Sequence, residues 1–235
     1  HGLVRIPDHV AGEELERLRE EFCSLLEARA AGLRPLDYAA GRAVVVERAR
    51  LDAAAHPATA RTFGDPWLAE ISRRVLRGAH RVNDEIWLSR DEPRDEPINR
   101  LHFDRIPTLK FFLYLRDTTE ADGALRCVPG SHRLGRALAR YHRRRGRRVV
   151  DLPNSEIPAG VPDPQPITGR AGTLVIFTTD VFHQGGRVEP GHERWVMRGH
   201  TRPEASTTYA PVRGSWQWWV ESSWNPLPYL VRAYD

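Results

Sequence analysis

Lysine is nearly absent from this sequence, since Lys110 is the single lysine and the other thirty-four basic residues are arginine. Cysteine is also scarce, and two residues cannot form a disulfide scaffold, so the reducing cytoplasm is the expected compartment. The longest apolar run, Phe111–Leu115, is far shorter than the roughly 20 residues of a membrane span. No secretory signal is visible. A transmembrane protein is therefore excluded, and a cytoplasmic one is expected.

What the chain does contain is typical of a folded globular protein. Of its 235 residues, 40% are hydrophobic and 28% are charged, and the formal net charge is +4. This length predicts a single domain over 1–235, and no repeat indicates a solenoid or propeller. We expect a helical layer over about 1–81 and a β core over about 82–235, with a basic insertion over about 133–166.

Hydrophobic spacing predicts the elements of both layers. A short strand at Leu3–Pro7 is followed by helices over about Gly12–Arg29 and Pro66–Arg77. Short β-branched and aromatic runs follow after Val82, at Ile86–Leu88, Leu109–Leu115, Ala124–Val128, Thr173–Phe177 and Trp195–Met197. Because each run is bounded by turn residues, the pattern favours a β-sandwich or barrel over βαβ units.

The most informative fragment for chemistry is Leu101-His102-Phe103-Asp104. Side chains two apart on a strand point to the same face, so His102 and Asp104 can bind one side of a metal ion. A second histidine, His183, follows the distant strand Thr173–Phe177. Two histidines and one carboxylate form the facial triad of non-haem Fe(II) oxygenases, which leaves open positions for a co-substrate and O₂. Arg194, eleven residues after His183, can bind a co-substrate carboxylate.

These residues, together with Asp122–His132 (DGALRCVPGSH), resemble the phytanoyl-CoA dioxygenase family. The resemblance covers most of the chain, and its most specific part is the contiguous Gly-Ala-Leu…Pro-Gly-Ser-His stretch. It implies a double-stranded β-helix, or jelly roll, beneath the helical layer. It also implies that His102, Asp104 and His183 bind Fe(II), and that Arg194 binds the distal carboxylate of 2-oxoglutarate.

The same resemblance implies a dioxygenase that couples decarboxylation of 2-oxoglutarate by O₂ to oxidation of a small molecule, with ascorbate as a stimulant. Hydroxylation is the expected outcome, as part of a biosynthetic tailoring step. Asp104 argues against a halogenase, because related halogenases lack this carboxylate. Two alternatives stay open: a cupin-like metal enzyme that does not use 2-oxoglutarate, and a jelly-roll binding module without catalysis.

Four further residues are weighed as contacts inside the site. Lys110 lies within a predicted strand, where it contacts either 2-oxoglutarate or an acidic substrate, or else protects a sheet edge from aggregation. Ser89 is a further candidate for binding 2-oxoglutarate. Trp87 and Trp218 are candidates for the substrate pocket, although the cluster around Trp218 also suits packing of the C-terminal region.

Eight arginines and no acidic residue occur between Arg133 and Arg148, which leaves the rest of the chain mildly acidic. We interpret this segment as a solvated helical insertion, a lid or a docking surface, and nucleic-acid binding is not favoured because stacking aromatics are few. The expected partner is a small molecule, with acidic and carrier-linked substrates among the alternatives. His192 is a weaker candidate ligand than His183, since it lies in a predicted turn, and Cys127 is expected to be a core residue. The oligomeric state stays open.

Overall fold

The computed structural model describes residues 1–28, 33–36, 41–76, 80–104, 108–144 and 157–203. The chain enters the fold through strand β1 (Leu3–Ile6) and helix α1 (Gly12–Glu27), both as predicted, although α1 ends two residues early. Leu15, Leu18, Phe22 and Leu25 of α1 are buried because their spacing of three and four residues places them on one helical face. This face covers the sheet described below.

Three further α-helices occur in the described ranges, α2 (Pro57–Arg61), α3 (Pro66–Leu76) and α4 (His132–Arg144), and a 3₁₀ turn spans Arg48–Arg50. In α3, Leu68 and Leu76 are buried, whereas Val75 is 40% exposed. Within these ranges, no helix has the length and apolar character needed to cross a membrane.

A large antiparallel sheet forms the main layer. Besides β1, its strands are β2 (Leu33–Pro35), β3 (Gly41–Glu47), β4 (His80–Val82), β5 (Glu85–Asp91), β6 (Leu109–Tyr114), β9 (Leu174–Thr178) and β11 (Arg194–Pro203). The strand order is β1-β9-β6-β11-β5-β3-β2, and β4 pairs with the far end of β11.

A smaller antiparallel sheet lies opposite the large one and consists of β7 (Leu125–Cys127), β8 (Gln165–Pro166) and β10 (His183–Gly185). Its strand order is β10-β7-β8. Leu125 and Cys127 pack against Phe112 and Tyr114 of the large sheet. The two facing sheets form a double-stranded β-helix with flanking helices, which confirms the predicted fold class.

Strand β6 shows how alternation separates the two faces of the large sheet. Phe111 and Leu113 pack in the cluster that contains the α1 side chains, so they face the helices. Lys110, Phe112 and Tyr114 have the opposite parity and face the smaller sheet. We call this second surface the inner face, and it carries the side chains of the candidate site.

The N-terminal part is less purely helical than predicted. Strands β2 and β3 lie inside the predicted helical layer over 1–81, yet they extend the large sheet beyond β5. The signal was Ala43–Val46, a short continuous apolar run that is buried throughout. Such a run has no period of two, since both sides of the strand are covered, and it was therefore missed.

Gly172 provides a test of how tightly α1 is connected to this sheet. Its φ is +83° and an added Cβ would lie 1.8 Å from the carbonyl oxygen of Val10. We expect Gly172→Ala to lower the free energy of unfolding by about 3 kcal/mol or more in urea denaturation. Gly191→Ala is the matched control, because Gly191 has a φ of +84° and open space around it. An equal loss of unfolding free energy in the two variants would show that the close contact between residue 172 and the Val10 carbonyl is not the cause.

Candidate metal centre

The structure brings His102, Asp104 and His183 together at one end of the smaller sheet. His102 and His183 form an isolated bridge with N···O distances of 3.0 and 2.8 Å between their backbones. The backbone N–H of Asp104 donates to the Thr179 carbonyl at 2.8 Å. His102 forms only this isolated bridge and Asp104 lies in no strand, so the predicted His-x-Asp strand is reduced to a bridge. Backbone pairing nevertheless fixes all three positions.

The ligand atoms of the three side chains all lie within 4.8 Å of one another. Asp104 Oδ1 is 3.5 Å from His102 Nε2 and 3.8 Å from His183 Nε2. Both histidines are buried, and Asp104 is partly buried. Two imidazole nitrogens and one carboxylate oxygen at these separations can bind one metal ion from one side.

Backbone carbonyls determine which nitrogen of each histidine faces this centre. His102 Nδ1 lies 2.7 Å from the Arg100 carbonyl, and His183 Nδ1 lies 2.7 Å from the Val181 carbonyl. A carbonyl oxygen only accepts, so each Nδ1 carries the proton and donates. Each Nε2 is then left with a lone pair directed at the centre, as metal-binding histidines require.

Electrostatics keep the three groups in the protonation states that bind metal. Burial, followed by the charge of Lys110, lowers the pKa of His183 to about 3. Burial also lowers the pKa of His102. Burial alone would raise the pKa of Asp104, but the positive charge of Lys110, the neighbouring imidazoles and the hydrogen bond from Lys110 together outweigh it, so this pKa falls to about 2.

Lys110 points directly at the centre. Its Nζ is 2.6 Å from Asp104 Oδ2 and 3.4 Å from His183 Nε2. Strand β6, which carries Lys110, lies between β9 and β11 in the large sheet. The alternative of an edge-strand lysine is therefore wrong, because β6 has a hydrogen-bonded neighbour on each side.

Arg194 also lies on the inner face, but its guanidinium is held within the protein. Nε and Nη2 contact Asp91 Oδ2 at 2.8 and 2.7 Å, and Nη1 donates to the Gly123 carbonyl at 2.7 Å. Arg194 is 2% exposed and Asp91 is fully buried. The ion pair with Asp91 was not foreseen, although strand alternation places Trp87, Ser89 and Asp91 on one face of β5.

The remaining predicted site residues divide into two groups. Ser89 and Trp87 lie on the inner face of β5, and both Ser89 Oγ and Trp87 Nε1 are buried without a hydrogen-bond partner. Trp218 lies outside the described residues, as does the rest of its tryptophan cluster. Sequence reasoning missed Arg198, whose guanidinium lies 5.5 Å from the Trp87 ring centroid. Arg198 lies four residues after Arg194 on β11, so strand alternation alone would have placed both side chains on the same face.

Helix α4 attaches the start of the basic segment to both ligand-bearing stretches. Phe103, between two of the candidate ligands, packs with Phe182 and with Ala139 of α4. Arg136 donates to the buried Asp180 carboxylate at 3.1 Å, close in sequence to His183. The predicted helical insertion is thus helical as far as Arg144, and positions 145–156 lie outside the described residues.

Two residues weighed as alternatives lie elsewhere. His192 occupies a turn, where its Nδ1 lies 2.9 Å from Asp122 Oδ1, and its side chain is 42% exposed. Cys127 is buried in the core between the sheets, and burial raises the pKa of its thiol to about 12. A thiol in this environment does not ionise near neutral pH, in agreement with the predicted core role.

Buried neutral histidines make the stability of the metal-free protein depend on pH. Burial, followed by Lys110, lowers the pKa of His200 to about 4, and that of His183 is about 3, against an ordinary value of 6.5. Below pH 6.5 the unfolded chain therefore binds protons that the folded chain does not. For each such histidine we expect the free energy of unfolding to fall as the pH drops from 6.5 to 5, with a slope that steepens toward about 1.4 kcal/mol per pH unit. Urea unfolding at several pH values checks this slope, and a flat profile would contradict it.

Comparison with known proteins places this geometry in a family. A model of the phytanoyl-CoA dioxygenase (PhyH) family matches residues 1–195, whereas no curated protein sequence matches the chain. HygX from Streptomyces hygroscopicus, solved with nickel, 2-oxoglutarate and hygromycin B, is 18% identical with a TM-score of 0.60, over 86% of this chain and 83% of HygX. The epimerase SnoN from nogalamycin biosynthesis is 17% identical with a TM-score of 0.60, over 86% of this chain and 78% of SnoN.

AviO1 from Streptomyces viridochromogenes Tue57 is similar to the same degree, with a TM-score of 0.58 and 18% identity over 89% of this chain and 93% of that protein. At these identities the structural likeness shows a shared fold. The family match covers the ligand-bearing stretches, the Gly-Ala-Leu…Pro-Gly-Ser-His stretch and Arg194. The chain therefore belongs to the phytanoyl-CoA dioxygenase family.

Proposed function

We propose that this protein is a non-haem Fe(II)- and 2-oxoglutarate-dependent oxygenase that hydroxylates, or otherwise oxidises, a small molecule. The observation that carries the proposal is the convergence of His102, Asp104 and His183, with both Nε2 atoms directed at the centre. Family membership supports it, and so does the presence of nickel and 2-oxoglutarate in the HygX structure.

The donor set fits the metal. Two neutral imidazoles and one carboxylate suit Fe(II) and leave coordination positions for a bidentate co-substrate and for O₂. When bound, the iron supplies the centre at which 2-oxoglutarate is oxidatively decarboxylated to succinate and CO₂. The backbone bonds at Nδ1 keep both rings in position, so the three side chains need little reorganisation before binding the metal.

Arg194 is proposed to bind the distal carboxylate of 2-oxoglutarate. Its position on the inner face of β11 directs it into the space between the two sheets, and burial strengthens its attraction for a carboxylate. Asp91 and the Gly123 carbonyl hold the guanidinium in one orientation. A cation fixed in this way binds a dicarboxylate without the entropy cost of ordering a long side chain.

Other inner-face residues have proposed roles in the same space. Ser89 Oγ is buried without a hydrogen-bond partner, so it can donate to 2-oxoglutarate. Lys110 is proposed to contact the co-substrate near the metal. Trp87, with Arg198 above its ring, is proposed to line the substrate pocket. Phe103 and Phe182 pack together next to the three ligands, and they are proposed to exclude water from that side of the metal centre.

The test is an anaerobic titration of the purified protein with Fe(II) and then 2-oxoglutarate, followed by visible absorption. We expect a weak charge-transfer band that forms only when both are present. Binding of Fe(II) without this band, and without measurable affinity for 2-oxoglutarate, would instead identify a cupin-like metal enzyme. A folded protein that binds neither would contradict the proposal.

Once a substrate is found, product mass separates the possible outcomes. Hydroxylation adds one oxygen atom derived from O₂, which ¹⁸O₂ labelling detects. A product of unchanged mass with one inverted stereocentre would identify epimerisation, the type of reaction that the epimerase SnoN catalyses. Because function depends on the site and not on the fold, both outcomes are compatible with the same metal ligands.

A further inference from the structure

We propose that Lys110 is a positioning residue that fixes Asp104 as a ligand through a single oxygen. Its ammonium holds Oδ2, so that Oδ1 alone is presented to the metal. The inference rests on the proposed function, because it requires that His102, Asp104 and His183 bind a divalent metal ion. It differs from a contact between Lys110 and the co-substrate, since it acts before any co-substrate binds.

The two oxygens of Asp104 have different partners. Oδ2 lies 2.6 Å from Lys110 Nζ, which is a short, charge-assisted hydrogen bond. Oδ1 is the oxygen within 4 Å of both histidine Nε2 atoms, at 3.5 and 3.8 Å. The carboxylate is therefore oriented with one oxygen toward the lysine and the other toward the centre of the triad.

The sheet determines where the Lys110 ammonium lies. Lys110 pairs with Phe177 on one side and with His200 on the other, in the middle of the large sheet. The Phe177 ring packs edge-on against the His183 ring at 5.0 Å between centroids. The lysine side chain is 28% exposed, so most of it is enclosed among these groups. An ammonium in such surroundings is stabilised by the Asp104 carboxylate.

The choice of lysine in a chain that otherwise uses arginine follows from this geometry. A guanidinium is a planar fork that binds both oxygens of a carboxylate, whereas an ammonium is a point charge that can bind one. An arginine at this position would compete with the metal for Oδ1. Lysine leaves Oδ1 available, and a carboxylate bound through one oxygen leaves more coordination positions open for 2-oxoglutarate and O₂.

Cobalt(II) titration without 2-oxoglutarate tests the inference, with visible absorption reporting both affinity and coordination. We expect Lys110→Met to weaken cobalt binding about 10–100-fold, the range typical of residues that orient metal ligands. Lys110→Arg keeps the charge, and we expect it to weaken binding at least as much as Lys110→Met. Arg170→Met is the control, because Arg170 is an exposed cation with 76% side-chain exposure and pairs with Asp8 instead of a ligand.

Several results would overturn the inference. Wild-type affinity and spectrum in Lys110→Met would show that Lys110 does not act through Asp104. If a second titration, of the cobalt-loaded protein with 2-oxoglutarate, then showed a loss of 2-oxoglutarate affinity alone, Lys110 would be a co-substrate contact. Wild-type affinity in Lys110→Arg would show that charge alone matters. Tighter cobalt binding by Lys110→Met would show that the lysine only repels the metal. Circular dichroism checks that each variant is folded, and a folded wild-type protein that does not bind cobalt would overturn the proposed function itself.

Discussion

His183→Ala is expected to abolish stoichiometric metal binding and with it the decarboxylation of 2-oxoglutarate. The variant removes one of three ligands, and the loss of affinity should exceed the roughly 100-fold upper range seen when only a supporting residue is removed. Among the described residues, the group of closely spaced ligand atoms consists of His102, Asp104 and His183, so no further ligand of that group can take the place of the lost Nε2. Metal titration by calorimetry, and succinate formation, are the measurements.

His192→Ala is the matched control for that experiment. Both histidines lie in the same part of the chain and both contact an aspartate, but His192 is exposed and binds Asp122 in a turn. We expect its metal affinity and its succinate formation to match the wild type. If His192→Ala lost metal while His183→Ala kept it, the ligand assignment would be wrong, and Asp122 would have to be considered in its place.

The residues of the candidate site were easier to predict from the sequence than the strands of the large sheet. His102, Asp104 and His183 were recognisable because metal chemistry limits the residue types and because strand alternation explains a spacing of two. Strand β3 was missed because its buried run Ala43–Val46 has no alternating pattern, and β2 is only three residues long. The alternation of apolar and polar residues therefore identifies a strand that is buried on one face more readily than a strand that is covered on both faces.

Contacts between side chains that are distant in the sequence could not be predicted from the sequence. Asp91 and Arg194 are 103 residues apart, and only the pairing of β5 with β11 brings them into contact. Likewise, the contact of Lys110 with Asp104 depends on how the large sheet faces the loop after His102. Parity along a strand predicts which face a residue shares, but it does not predict which residue lies opposite on the other sheet.

Arg194→Met is expected to lower the free energy of unfolding by about 3–5 kcal/mol, because it leaves the Asp91 carboxylate buried without its cation. Asp91→Leu alone should cost a similar amount, since Arg194 is then buried without its anion. The double variant, Asp91→Leu with Arg194→Met, removes both charges and should recover most of the loss. Urea denaturation of the four proteins at neutral pH gives the coupling between the two sites.

The double variant also separates the structural role of Arg194 from its proposed role in binding. A single Arg194 variant that fails to bind 2-oxoglutarate is ambiguous, because a destabilised protein also loses ligand affinity. If the double variant recovers stability but not 2-oxoglutarate affinity, the loss belongs to the missing guanidinium and supports the carboxylate contact. If it binds 2-oxoglutarate as the wild type does, Arg194 serves only the ion pair, and the distal carboxylate must be bound by another inner-face cation, for which Arg198 is the nearest along β11.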